Sequence, residues 1–218
     1  TIVVFTADHG YRRGEHHRQN KGVPYEGSAL IPFVIYYPAK IKPGTVVDDA
    51  LGCVDFKPTI LSLMGYQSKD HEGRDASSLF LSGEAPDKWN DVAFIRSTGD
   101  EAGWLAAVTR RYKLIYSTSD DPWLFDLEED PDELKNFFAD PACRETVRDL
   151  SRQLIAYGKK HKDPRAANAK IQADLHWAVE GQGPYVSTLP AKPAGKAGRE
   201  AKAKKGARRK PRRVQSGP

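Results

Sequence analysis

The sequence predicts an α/β fold: part of a mixed sheet with flanking helices, followed by a small antiparallel sheet with a packed helix. Three observations predict it. Two short apolar runs, Thr1 to Phe5 and Ile31 to Tyr37, are separated by a polar loop and followed by a helical pattern. Four strand-like segments crowd into residues 92–127 with only charged or small residues between them. After them, apolar residues recur at helical spacing.

The opening run, Thr1-Ile2-Val3-Val4-Phe5, is β-branched and aromatic, the composition of a strand buried on both faces of a parallel sheet. It starts in mid-strand and without Met, so the sequence is expected to be a piece of a longer chain whose leader would not be visible. A loop rich in Gly and His runs from Thr6 to about Pro24. The second strand, Ile31 to Tyr37, carries Pro32 near its start, where a missing N–H is tolerated. Pro38 and Pro43-Gly44 turn the chain. Residues 54–64 form a short helix with Pro58 in its first turn and Gly65 as its stop. Residues 67–90 are a polar loop region.

The segments 92–97, 104–109, 112–116 and 123–127 are spaced for an antiparallel meander. Asp140-Pro141 opens a helix to about Tyr157 with Val147, Leu150, Leu154 and Ile155 on one face. A second helix is expected over 164–180. The chain thus divides into a sheet-and-helix part (1–90), a small α+β part (91–162), a peripheral helix and linker (163–190), and a tail (191–218).

Composition excludes several classes. No apolar run approaches the ~20 residues of a membrane span, and two cysteines, Cys53 and Cys143, cannot staple 218 residues. The net charge of +5 is unevenly held: residues 191–218 carry 11 basic residues and one acid, leaving −5 on the rest. That tail is mostly Ala, Gly, Pro, Lys and Arg, which cannot build a core, and it is expected to be disordered. Its charge is expected to give it weak affinity for polyanions through counterion release, but it has no aromatic residue to stack on bases.

Chemistry concentrates after the first strand. Asp8 and His9 stand where a buried strand hands over to a loop, the strand end at which ligands gather in α/β sheets. Asp8 offers hard oxygen and His9 a nitrogen to a divalent cation; alone, the pair reads equally as a capping Asp and a half-exposed His. Gly14-Glu15-His16-His17, Lys21, Tyr25-Glu26-Gly27-Ser28 and Pro32 come next. This series resembles the C-terminal half of the catalytic domain of sulfatases, in the alkaline phosphatase superfamily. The resemblance continues through Val54-Asp55, Pro58-Thr59, Gly73-Arg74-Asp75, Ser78-Leu79 and Tyr112-Lys113. It ends with Leu124-Phe125-Asp126-Leu127, Asp130-Pro131, Glu133 and Asn136, and so covers residues 1 to about 160 in order.

The resemblance implies an alkaline-phosphatase-like sheet and metal-dependent hydrolysis of a sulfate ester on a small molecule or glycan. It makes Asp8 and His9 ligands of a calcium ion and has Lys21 contact the sulfate oxygens and the nucleophile. His16 becomes a general acid at the leaving oxygen, with a solvent-facing loop His as its alternative. Glu15, Tyr25 and Glu26 would orient the loop, while Tyr112, Lys113 and Asp126 would serve the small sheet as packing and turn residues. A periplasmic or extracellular location is implied as well. Two departures stand out: Leu30 occupies a position usually held by Arg, and neither Cys53 nor Cys143 lies in the Cys/Ser-x-Pro-x-Arg motif that yields formylglycine. That nucleophile is therefore expected upstream of this sequence, and Cys53 is expected to be buried. A phosphodiesterase or phosphonate monoester hydrolase of the same superfamily is the alternative activity, and a non-catalytic remnant binding a polyanion or partner is the alternative class.

Overall fold

The computed structural model describes residues 1–67, 69–98 and 103–189; the expected basic tail lies outside them. The first part is built on a two-stranded antiparallel ribbon, β1 (Val3–Thr6) with β4 (Phe33–Tyr36), in the register Val3↔Tyr36 to Thr6↔Phe33. Between them lie a short hairpin, β2 (Arg12–Arg13) with β3 (Gln19–Asn20), and a one-turn helix, α1 (Glu26–Ala29). Helices α2 (Cys53–Leu63) and α3 (Ser77–Leu81) come after the ribbon. Strand alternation turns Phe33 and Ile35 of β4 inward, and Phe33 stacks on Phe56 of α2 at 4.0 Å between ring centroids.

Burial corrects the expectation for this ribbon. Among the described residues β1 pairs antiparallel with β4, and Val3, Phe5, Val34 and Tyr36 leave an apolar face exposed, Phe5 by 65%. Apolar composition records a preference for burial, but burial itself needs a covering neighbour. Among the described residues that face has none. Cys53 is likewise exposed, because it is the first residue of α2 and sits outside the turns that pack inward.

Pro58 lies in the middle of α2, not in its first turn. With no N–H to give, it leaves the Val54 carbonyl without its helical donor. Gly73 closes over that carbonyl: a Cβ at residue 73 would lie 1.9 Å from Val54 O, so only glycine fits. The next residue, Arg74, forks onto Asp55 (Nη2 to Oδ2, 2.7 Å) and donates to the carbonyls of Ala50 (2.8 Å) and Asn90 (2.5 Å). Its guanidinium also lies 4.4 Å from the Trp89 ring centroid. Gly73-Arg74 is thus a lock on α2.

The second part adopts the expected meander: β5 (Ala93–Arg96), β6 (Trp104–Val108), β7 (Tyr112–Ser117) and β8 (Trp123–Asp126), antiparallel in the order β5-β6-β7-β8. Its two faces do different work. Leu105, Ala107, Leu114, Tyr116 and Leu124 point to the main core and meet Val147, Leu150 and Leu154 of α4 (Arg144–His161). Helix α5 (Ala169–Glu180), expected as peripheral, buries Ile171, Leu175 and Ala178 in that same core. It starts at Asn168, whose side chain accepts from Lys170 N and Ile171 N, and not at Pro164. Alternation sends Trp104, Ala106, Lys113, Ile115, Trp123 and Phe125 to the opposite face, against the first part of the chain.

Candidate active site

Asp8 and His9 leave the end of β1, and Gly10 fixes where they stand. Its N–H donates to Ser28 O at 3.0 Å, and a Cβ there would lie 2.4 Å from Gly27 O. Only glycine lets the strand end approach α1 so closely. The β2–β3 hairpin then carries the chain out and back. Gly14 (φ 134°), His16 (φ 52°) and His17 (φ 54°) turn its tip, and Asn20 (φ 77°) accepts the Lys21 N–H on its side-chain oxygen at 2.9 Å. Arg12 is buried against Gly27 beneath the hairpin, with its guanidinium 5.9 Å from the Tyr25 ring centroid. Glu15 accepts from Arg13 N at 3.3 Å.

The hairpin brings Lys21 back to His9. Lys21 Nζ is hydrogen-bonded to His9 Nε2, which lies 3.2 Å from Asp8 Oδ2, and Asp8 Oδ1 accepts from His9 N at 3.0 Å. His9 Nδ1 is 2.8 Å from Gly10 O, a group that can only accept. This assigns the ring proton to Nδ1 and leaves the Nε2 lone pair facing Asp8 and Lys21. A carboxylate oxygen and a lone pair side by side repel one another unless a positive charge adjoins both. Here the Lys21 ammonium adjoins the His9 nitrogen.

This donor set fits a divalent cation in kind. It falls short in number, since calcium takes six to eight ligands. Among the described residues no group of three or more His, Cys, Asp or Glu could hold a metal ion. The Asp8 side chain is 84% exposed and open to further donors. His16 sits apart from this cluster: its ring stacks on Tyr25 at 3.8 Å between centroids and 11° between planes. His17 is exposed, as is Leu30 at the end of α1.

Three residues support this loop in a way that local sequence does not reveal. Trp104 donates from Nε1 to Gly22 O at 3.1 Å, and Lys113 and Glu133 reach the start of α1. Lys113 reads as a packing residue in sequence because its partners are remote along the chain. The only signal is a charge at an inward-facing position of a strand, which demands a buried partner. Tyr25 packs on Trp123 and Phe125 at 5.6 and 5.8 Å between centroids, and burial pushes its hydroxyl above the usual phenol range.

Residues 14–160 match the family described as N-sulphoglucosamine sulphohydrolase, C-terminal. An arylsulfatase of Clostridium perfringens is 34% identical over 160 residues, which are 71% of this chain and 33% of that protein. A protein solved with its substrate D-glucosamine-2-N,6-O-disulfate superposes with a TM-score of 0.62 at 27% identity, over 74% of this chain and 35% of that one. The phosphonate monoester hydrolase of Agrobacterium radiobacter superposes at 0.60 with 26% identity, over 73% and 35%. The chain therefore spans about a third of the length of the relatives it matches.

Proposed function

Because the chain belongs to the N-sulphoglucosamine sulphohydrolase C-terminal family, we propose that it carries part of the active site of a sulfuric ester hydrolase. The observation that carries this reading is the meeting of Asp8, His9 and Lys21 at one strand end. Asp8 and His9 would hold a divalent cation, calcium by family likeness, together with carboxylates outside this sequence. The ion would polarise the sulfate oxygens.

Lys21 then binds the sulfate group, and its fixed ammonium stabilises the charge that builds on the equatorial oxygens. His9 is held in one tautomer by Gly10 O and keeps Nε2 unprotonated for the cation. In the family, formylglycine supplies the nucleophile; no Cys or Ser here is followed by x-Pro-x-Arg, so that residue is assigned to a segment outside this sequence. We assign His16 the part of general acid at the leaving oxygen, which requires its ring to leave Tyr25. A sulfated glycan is the substrate class favoured by the disulfated glucosamine bound to one structural relative.

The native protein, purified from its host, should hydrolyse 4-nitrophenyl sulfate. Asp8→Ala should abolish turnover and lower bound calcium, read by elemental analysis. Lys21→Ala should keep the metal and cost about 2.7–4 kcal/mol of transition-state stabilisation, the scale of one lost oxyanion donor. The likeness to phosphonate monoester hydrolases supports a second reading. Faster turnover of a phenyl phosphonate ester than of the sulfate would establish it in place of the first.

A further inference from the structure

Lys21 lies on an exposed hairpin, where a four-carbon side chain has no fixed place of its own. The next five residues, 22–26, are tied down at several points, and from another part of the fold. Trp104 of β6 donates to Gly22 O at 3.1 Å. Lys113 of β7 donates to Pro24 O at 3.0 Å and pairs with Glu133 Oε1 at 2.7 Å and with Glu26 Oε1. Glu133 Oε2 accepts the Glu26 N–H at 2.6 Å. Tyr25, between these points, lies on Trp123 and Phe125 of β8.

The Lys113 side chain is 0% exposed, and its ammonium has three protons for three acceptors: one carbonyl and two carboxylates. A buried ion is costly unless every donor is met, so this node holds one geometry and resists drift. Its acceptors come from the segment 24–26 and from Glu133, a buried residue held at φ 54° in the turn after β8. Nothing in sheet stability requires a sheet lysine to bind the Pro24 carbonyl. The contact fixes the loop, three residues after Lys21.

We propose that the face of the β5–β8 sheet opposite the main core is the platform that positions Lys21 against His9 and Asp8, with Lys113 as its positioning residue. The inference rests on the placing of Lys21 in the site proposed above. Lys113 touches no substrate in this arrangement. It acts by holding the backbone from which Lys21 departs, and the reacting geometry tolerates little displacement there.

The test uses nitrogen-15 NMR of the 218-residue chain, reading His9 Nε2 and Lys21 Nζ. Lys113→Met and the isosteric Glu133→Gln should each shift both signals, while the amides of Leu105 and Leu114 in the main core stay in place. In the native protein the same changes should lower kcat by roughly 100-fold, the scale of a 1 Å misplacement, with KM little altered. Folded variants with unmoved His9 and Lys21 signals would overturn the proposal. If Lys113→Met does not fold, Glu133→Gln decides by the same two signals. The NMR result is independent of which ester the native protein cleaves, so failure of the sulfatase reading would leave it standing.

Discussion

Asp126, at the end of β8, shows how one carboxylate can serve a turn and a strand at once. It takes a fork from Arg111 (Nη2 to Oδ2, 2.7 Å) and accepts the N–H groups of Glu128 and Glu129 at 3.1 and 3.2 Å. The Arg111 hydrogen bonds, helped by those two N–H groups, hold its carboxyl below the usual carboxylate range. A folded-state pKa below the unfolded one adds stability that is complete above the unfolded value. It is lost as pH falls through the folded value. Urea unfolding followed against pH should therefore show stability falling in acid below about pH 4, with a shallower fall in Asp126→Asn. Equal slopes in the two proteins would remove Asp126 from the acid response. The turn role of Asp126 is implied by the family resemblance that Leu124-Phe125-Asp126-Leu127 carries, and its partners Arg111, Glu128 and Glu129 all lie within 15 residues. The role of Lys113, whose partners Pro24 and Glu133 lie 89 and 20 residues away, is not.

Helix α2 makes the corresponding point for an element. Its apolar spacing and Gly65 stop are readable in sequence, but the place of Pro58 is not, because a proline in mid-helix is usually excluded. The fold accepts it because Gly73 covers the carbonyl that Pro58 frees, and Arg74 secures that crossing through Asp55. Gly73→Ala should accordingly cost about 1–3 kcal/mol or more, the range for overpacking, measured as a lowered thermal midpoint. A neutral substitution would show that the segment yields freely. Helix α5 shows the same dependence on context. Its apolar residues are visible in sequence, but its start is set by the Asn168 cap and its depth by the pocket that Leu150 and Leu154 leave for Ile171 and Leu175.

At the scale of the molecule, stability is unevenly distributed. The main core joins one face of a four-stranded sheet to two helices, while the β1–β4 ribbon has one apolar face open. Hydrogen exchange should be slowest at Leu105–Ala107 and Leu114–Tyr116 and much faster at Val3–Phe5. Uniform protection would mean that the ribbon is held by more than its pairing with β4. The tail, as a proposal from composition, is dispensable to this core. Truncation after Pro190 should leave the unfolding midpoint unchanged and reduce the salt needed to elute the chain from heparin. A lowered midpoint would place part of the tail in the fold.

The sequence by itself determined the α/β class, the four-stranded meander, both long helices and the residues that meet at the end of β1. The elements rest on short-range pattern, namely alternation, helical spacing and turn residues, while the site residues come from the family resemblance that runs through residues 1 to about 160. Tertiary structure alone decided which apolar strand is covered and that α5 belongs to the core. It also decided that a buried lysine of the C-terminal sheet holds the loop bearing Lys21. Covering a face or neutralising a buried charge requires partners from distant parts of the chain, and no local periodicity encodes which partner arrives.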